Sequence, residues 1–139
     1  MTENTKDLQA RLAAVPIFAG LSNRHLAKLV DGSRRTTHQA GHEIAKEGEG
    51  ALALHIILDG TAEVSVHGSP RRELRTGDYF GEISLIDGRK RSASVTATSD
   101  LHTLAVPYVP FQQLLETEPG FAAGLLKLIC SRLREAEAD

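Results

Sequence analysis

The sequence predicts a mainly β domain: an antiparallel β-barrel or jelly roll with flanking helices at both ends and one short helical turn inside the β region. Three observations carry this. Apolar residues recur at helical spacing up to about residue 32 and again after residue 110, and alternate with a period near 2 in between. Turn dipeptides punctuate the middle of the chain every few residues. Strands and helices do not alternate, so a parallel nucleotide-binding sheet is not expected.

The first helix carries Leu8, Leu12 and Val15 on one face, and Pro16 ends it. A second opens at Ser22, a good N-cap, with Leu21 and Leu26 placed for a hydrophobic staple. Gly32 closes it, and Leu26, Leu29 and Val30 form its buried stripe. Strands begin near residue 36. Leu52, Leu54, Ile56 and Leu58 alternate with Ala53, His55 and Ile57, and Asp59-Gly60 is a turn. Ala62, Val64 and Val66 alternate with Glu63 and Ser65, and His67-Gly68-Ser69-Pro70 is the next turn. Leu74-Arg75 and Tyr79-Phe80 flank Thr76-Gly77-Asp78, and residues 94–98 and 101–106 are two more short strands. Phe111, Leu114 and Leu115 mark a short helix that stops before Pro119. Phe121, Leu125, Leu128, Ile129 and Leu133 give a longer helix a single apolar stripe, and the polar tail 134–139 is expected to fray.

A chain of 139 residues is one domain, with N-terminal helices in 1–35, the β region in 36–106 and C-terminal helices in 107–139. It is 41% hydrophobic and 24% charged, enough to bury a core. A net charge of −2 and a pI near 6.3 argue against a general nucleic-acid or membrane-surface binder. Aromatic residues make up 4% and Trp is absent, which leaves no stacking platform for single-stranded nucleic acid. The single cysteine, Cys130, excludes an internal disulfide framework. No apolar signal core and no run of membrane-span length is present, so a soluble cytoplasmic protein is the simplest expectation.

The stretch FGEISLIDGRKRSASV, residues 80–95, interrupts the strands. Gly81 permits a backbone approach that a Cβ would block. Residues Ile83 to Ile86 suffice for about one helical turn, whose N-terminal N–H groups make an anion site. Glu82 sits beside that N-terminus, and Asp87-Gly88 ends the turn. Arg91 then offers a forked cation and Ser92 a hydroxyl, both suited to phosphate oxygens. A carboxylate accepts but does not donate, so Glu82 suits a sugar hydroxyl. One end of the site fits phosphate, the other a hydroxyl.

This stretch resembles the phosphate-binding cassette of cyclic nucleotide-binding domains, the family of bacterial catabolite activator proteins, protein kinase A regulatory subunits and cyclic-nucleotide-gated channels. The resemblance extends over VPIFAGLS at 15–22, AGHEIAKEGE at 40–49, LHIILDGTAEV at 54–64 and LRTGDYFGE at 74–82. It implies that Glu82 binds the ribose 2′-hydroxyl and that Arg91 pairs with the cyclic phosphate. Gly81, Ser84 and Ser92 would supply N–H groups or a hydroxyl to ribose or phosphate. Ala93 and Ser94 would follow on the strand that borders the base, with Val64, Ile83 and Val95 as its apolar wall. The implied ligand is a cyclic mononucleotide. Ser92 after Arg91 is similar to the cyclic AMP-binding bacterial activators, whereas threonine is more usual in cyclic GMP receptors. The resemblance further implies a regulatory domain that is no enzyme, with a terminal helix (120–136) that moves on binding about a hinge near Pro119-Gly120. No cofactor or metal is expected, the effector partner is not indicated, and the chain is a monomer or a homodimer through the terminal helix. Three departures stand out. Lys90 replaces a common proline, and Ala51 a common glycine, where Gly50 is expected to take the positive φ instead. His55 replaces a common tyrosine.

His38 and His42, with Glu43, raise a metal-binding alternative of the jelly-roll enzyme kind. A spacing of four suits one face of a helix, whereas a strand calls for i, i+2, so a metal site is not expected. No Ser-His-Asp or paired-carboxylate arrangement stands out. A fold kept only for protein interaction, without ligand, is the remaining alternative.

Overall fold

The computed structural model describes residues 4–49, 53–81 and 89–138. Helix α1 spans Thr5–Ala13, and a reciprocal capping box between Asn4 and Asp7 starts it. Pro16 does not simply end the segment; it opens a 3-10 turn, Pro16–Phe18, that buries Ile17 and Phe18. Helix α2 spans Asn23–Asp31, with the Ser22 hydroxyl accepting from the His25 N–H as its N-cap.

The β region forms two four-stranded antiparallel sheets. Strands β1 (Arg34–His38), β8 (Leu101–Pro107), β3 (Ala53–Asp59) and β6 (Tyr79–Phe80) make the first, in that order. Strands β2 (Glu43–Ala45), β7 (Ser94–Ala97), β4 (Ala62–Val66) and β5 (Ser69–Leu74) make the second. The arrangement is jelly-roll-like, two facing sheets rather than a barrel closed by hydrogen bonds. Turn chemistry sets the corners. His67 and Gly68 both have positive φ, 52° and 77°, which a two-residue type I′ hairpin requires. That turn is tighter than the sequence suggests, so Ser69 and Pro70 already belong to edge strand β5. At Gly60, a Cβ would stand 2.3 Å from the Asp100 carbonyl oxygen, so the β3–β4 turn packs against the β7–β8 turn only through glycine.

The core has two compartments. Between the sheets lie Ala45, Ile57, Ala62, Leu74, Phe80, Val95, Ala97 and Leu101. The outer face of the first sheet, through Leu54, Ile56, Leu58, Leu104 and Val106, packs on the helices. Strand β3 is therefore buried on both faces from Leu54 to Leu58, where simple alternation suggests one wet face.

Helix α3 (Tyr108–Thr117) and helix α4 (Pro119–Ala138) follow β8. Between them Glu118 takes an extended-type φ/ψ of −121°/87°, as suits a residue before proline, and its carbonyl accepts from the N–H groups of Phe121 and Ala122. Phe18, Phe111 and Phe121 interlock around this junction, with ring centroids 5.7 to 6.4 Å apart. His25 Nε2 lies 2.9 Å from Glu118 Oε1 and ties α2 to the same point.

The stripe expected on α4 is shorter than the sequence suggests. Phe121 and Leu125 are buried, Leu128 and Ile129 are half-buried, but Leu133 is 59% exposed and Leu126, off the stripe, 66%. The helix has by then run past the apolar surface that its first turns cover. The tail is not frayed: residues 134–138 remain helical, all exposed. Cys130 is exposed on the same helix. No helix among the described residues is long and apolar enough to cross a membrane.

Candidate functional site

Strand β6 delivers Gly81 to the end of β3. Gly81 has φ +93°, and a Cβ there would lie 2.9 Å from both the Ala53 carbonyl oxygen and Arg91 Nη1. Handedness and space each demand glycine. Arg91 reaches this point from the other side and donates from Nη2 to the Ala53 carbonyl at 3.2 Å. The guanidinium thus lies on bare backbone, where β3 and β6 meet.

The backbone of Arg91 is held as firmly as its side chain. Its N–H donates to the Glu49 carbonyl at 2.7 Å, and its own carbonyl accepts from Gly48 N–H at 2.9 Å. The 46–49 loop is fixed in turn. Glu47 N–H donates to Ser94 Oγ at 3.0 Å, and its carboxylate accepts from His67 N–H at 2.9 Å, with His67 Nδ1 3.1 Å away. The β2–β3 loop, the β4–β5 turn and the start of β7 therefore form one frame around residue 91.

Burial lowers the pKa of the half-buried Arg91, and the nearby Glu49 carboxylate opposes that shift. An arginine so placed keeps its charge, so the site holds a cation with a planar fork of donors, which matches phosphate geometry.

Beside it, His55 is buried on β3 and stacks on Phe80, ring centroids 5.0 Å apart and 6° from parallel. Its Nδ1 lies 2.8 Å from Thr103 Oγ1, and a string of short contacts continues from Thr103 to Thr36 at 2.5 Å and on to His38 Nε2 at 2.9 Å. Burial first, then the Arg91 cation, then His38 and Arg34, push the His55 pKa down to about 4. At neutral pH it is uncharged and adds no second cation beside Arg91. The expected packing replacement of a tyrosine is thus also an electrostatic matter.

Of the residues singled out in the sequence, Gly81 and Arg91 meet directly. Ala93 follows half-buried and Ser92 exposed. Val64 and Val95 are register partners on β4 and β7, so they share the inward face of the second sheet. Ser94 alternates to the other face, where its hydroxyl serves the Glu47 N–H rather than an inward wall. Glu82, Ile83 and Ser84, the helical turn they open, and Gly50 and Ala51 lie outside the described residues. The contributions of Gly48, Glu49 and Ala53 are not visible in the sequence, because each acts through its backbone; only the AGHEIAKEGE match marks that loop. His38 and His42 do converge, as stacked rings with centroids 5.0 Å apart and 10° from parallel. Among the described residues no group of three or more His, Cys, Asp or Glu is placed to hold a metal ion.

Comparison with known proteins agrees with this fold. The model of the cyclic nucleotide-binding domain family matches residues 35–118, which takes in both sheets and α3. The cAMP-dependent protein kinase regulatory subunit of Eremothecium gossypii is 36% identical over 105 residues, 75% of this chain and 23% of that protein. The chain therefore spans about a quarter of the length of that relative. Among solved structures, the Thermus thermophilus catabolite activator protein is similar with a TM-score of 0.74 and 30% identity, over 88% of this chain and 60% of that one. The cAMP-bound PfPKA-R is similar with a TM-score of 0.72 and 25% identity, over 89% and 47%. With that family model matching residues 35–118, well over half of the chain and a span that includes Gly81 and Arg91, the chain belongs to the cyclic nucleotide-binding domain family.

Proposed function

We propose that this domain is a receptor for a cyclic mononucleotide, cyclic AMP in the first instance, and that it acts by binding rather than catalysis. The observation that carries the proposal is the seat of Arg91: a half-buried cation laid over Gly81, its backbone held by Gly48 and Glu49. The cyclic phosphate would pair with that guanidinium, and Glu82 would take the ribose 2′-hydroxyl. Val64 and Val95 would face the base, with Ala93 at the border. The cAMP-bound state of one similar structure supports the choice of ligand.

Binding would be read out through α4. Tyr79 stands two residues before Gly81, its hydroxyl accepts from Arg132 Nη2 on α4, and the Arg132 guanidinium lies 5.6 Å from the Tyr79 ring centroid. A change in the cassette that moves β6 therefore acts on the terminal helix directly, about the hinge at Glu118-Pro119. The ligand shifts this balance by its differential affinity for the two helix positions.

Titration calorimetry with cyclic AMP and cyclic GMP tests the proposal. A ligand of about 22 non-hydrogen atoms at roughly 0.3 kcal/mol each binds with a Kd on the order of 10 μM. Arg91→Ala removes charge-assisted bonds worth about 1.5–3 kcal/mol and weakens binding at least about tenfold. Equal affinity in the variant, or no binding of either nucleotide by folded, nucleotide-free protein, overturns it.

A further inference from the structure

The basic run Arg89-Lys90-Arg91 is longer than one phosphate anchor needs. Arg91 turns inward, but Arg89 and Lys90 are exposed, and so is Ser92. Residues 89–93 form neither helix nor strand. Ser94, two residues on, differs in every respect: it is half-buried, it opens β7, and its hydroxyl is engaged by Glu47 N–H. The segment therefore presents one accessible hydroxyl, with cations three and two residues before it and the small Ala93 after it. Protein kinases take their substrates as irregular, accessible segments and select them by charge pattern.

We propose that Ser92 is a phosphorylation site for a basophilic serine/threonine protein kinase, and that the phosphate it gains takes the anion seat at Arg91 and shuts out the nucleotide. The second half rests on the proposed function above. In the step, Ser92 Oγ attacks the γ-phosphorus of a nucleoside triphosphate. An Oγ–P bond forms, the bond to the β,γ-bridging oxygen breaks, the nucleoside diphosphate leaves, and the hydroxyl proton passes to the kinase base and then to water. The phosphoserine carries a charge of about −2 and three acceptor oxygens. It is covalently held one residue from a guanidinium whose backbone is clamped, so it competes at a high effective concentration with any free ligand. Lys90, in the place of a common proline, serves recognition by the kinase.

The full chain is incubated with a purified basophilic kinase and magnesium ATP, the modified residue is located by peptide mass spectrometry, and cyclic AMP affinity is measured before and after. Phosphate on Ser92 is expected, with modification slowed about tenfold or more by Arg89→Ala through loss of a charge pair with the kinase. The affinity of the phosphorylated chain is expected to fall at least about tenfold and to return on phosphatase treatment. Phosphate on another residue, no incorporation, or unchanged affinity in the modified protein overturns the proposal. Should the unmodified chain bind no nucleotide, the proposed function fails, and the mass spectrum alone still decides the modification site.

Discussion

His55 makes the fold sensitive to mild acid, by an amount the structure sets. Its pKa falls from 6.5 in the unfolded chain to about 4 in the fold. As pH drops through that window the unfolded chain takes up a proton that the folded chain refuses, so stability decreases. At 1.36 kcal/mol per pH unit the full window is worth about 3 kcal/mol, and the part between pH 7 and pH 5 about 2 kcal/mol. His55→Phe removes the titrating group and keeps a flat ring to stack on Phe80, while Thr103 retains Thr36 as a partner. Urea unfolding at pH 7 and pH 5 gives the comparison, with wild type losing about 2 kcal/mol more than the variant. With a urea dependence of about 2 kcal/mol per molar, that is a midpoint difference of about 1 M. Any absolute effect of the substitution cancels in this difference of differences. Equal acid losses in the two proteins would refute the argument that burial beside Arg91 keeps His55 neutral.

Two further perturbations probe the site and its output. Gly81→Ala forces a left-handed backbone on alanine and drives a methyl into the Ala53 carbonyl and Arg91; we expect a stability loss of about 1–3 kcal/mol in thermal unfolding and cyclic AMP affinity at least about tenfold weaker. A variant with wild-type affinity would show that the close approach is dispensable. Tyr79→Phe removes the oxygen that accepts from Arg132, at a cost of about 1 kcal/mol. Amide exchange in residues 126–138 should then speed up several-fold ahead of the sheets, and uniform exchange in both proteins would mean that this contact does not hold the helix.

How far the chain can be understood without its structure depends on the range of the interaction. Ser22 as a cap, Gly32 as a stop and the strand from Ala62 to Val66 all appear where the sequence places them, because a cap, a turn and an alternating face are decided within a few residues. The family resemblance of residues 80–95 was legible for the same reason: its glycine, glutamate and arginine lie within one short run, of which the structure describes the glycine and the arginine. Strand β3 was only half legible. Its alternation is real, yet both faces are covered, because the helices close over one side and the second sheet over the other.

Sequence by itself determined the mixed helical and β pattern and the family to which residues 80–95 point. Tertiary structure alone decided where the Arg91 guanidinium is held. Residues 48, 49 and 53 meet residues 81 and 91 through backbone carbonyl and amide groups, and those groups are the same in every amino acid. It also decided that α4 leaves its apolar footing before Leu133 and that burial beside Arg91 disfavours the charged form of His55. Which backbone atoms lie within 3 Å of one another across forty residues of chain is set by how two sheets pack, and no local pattern of side chains records it.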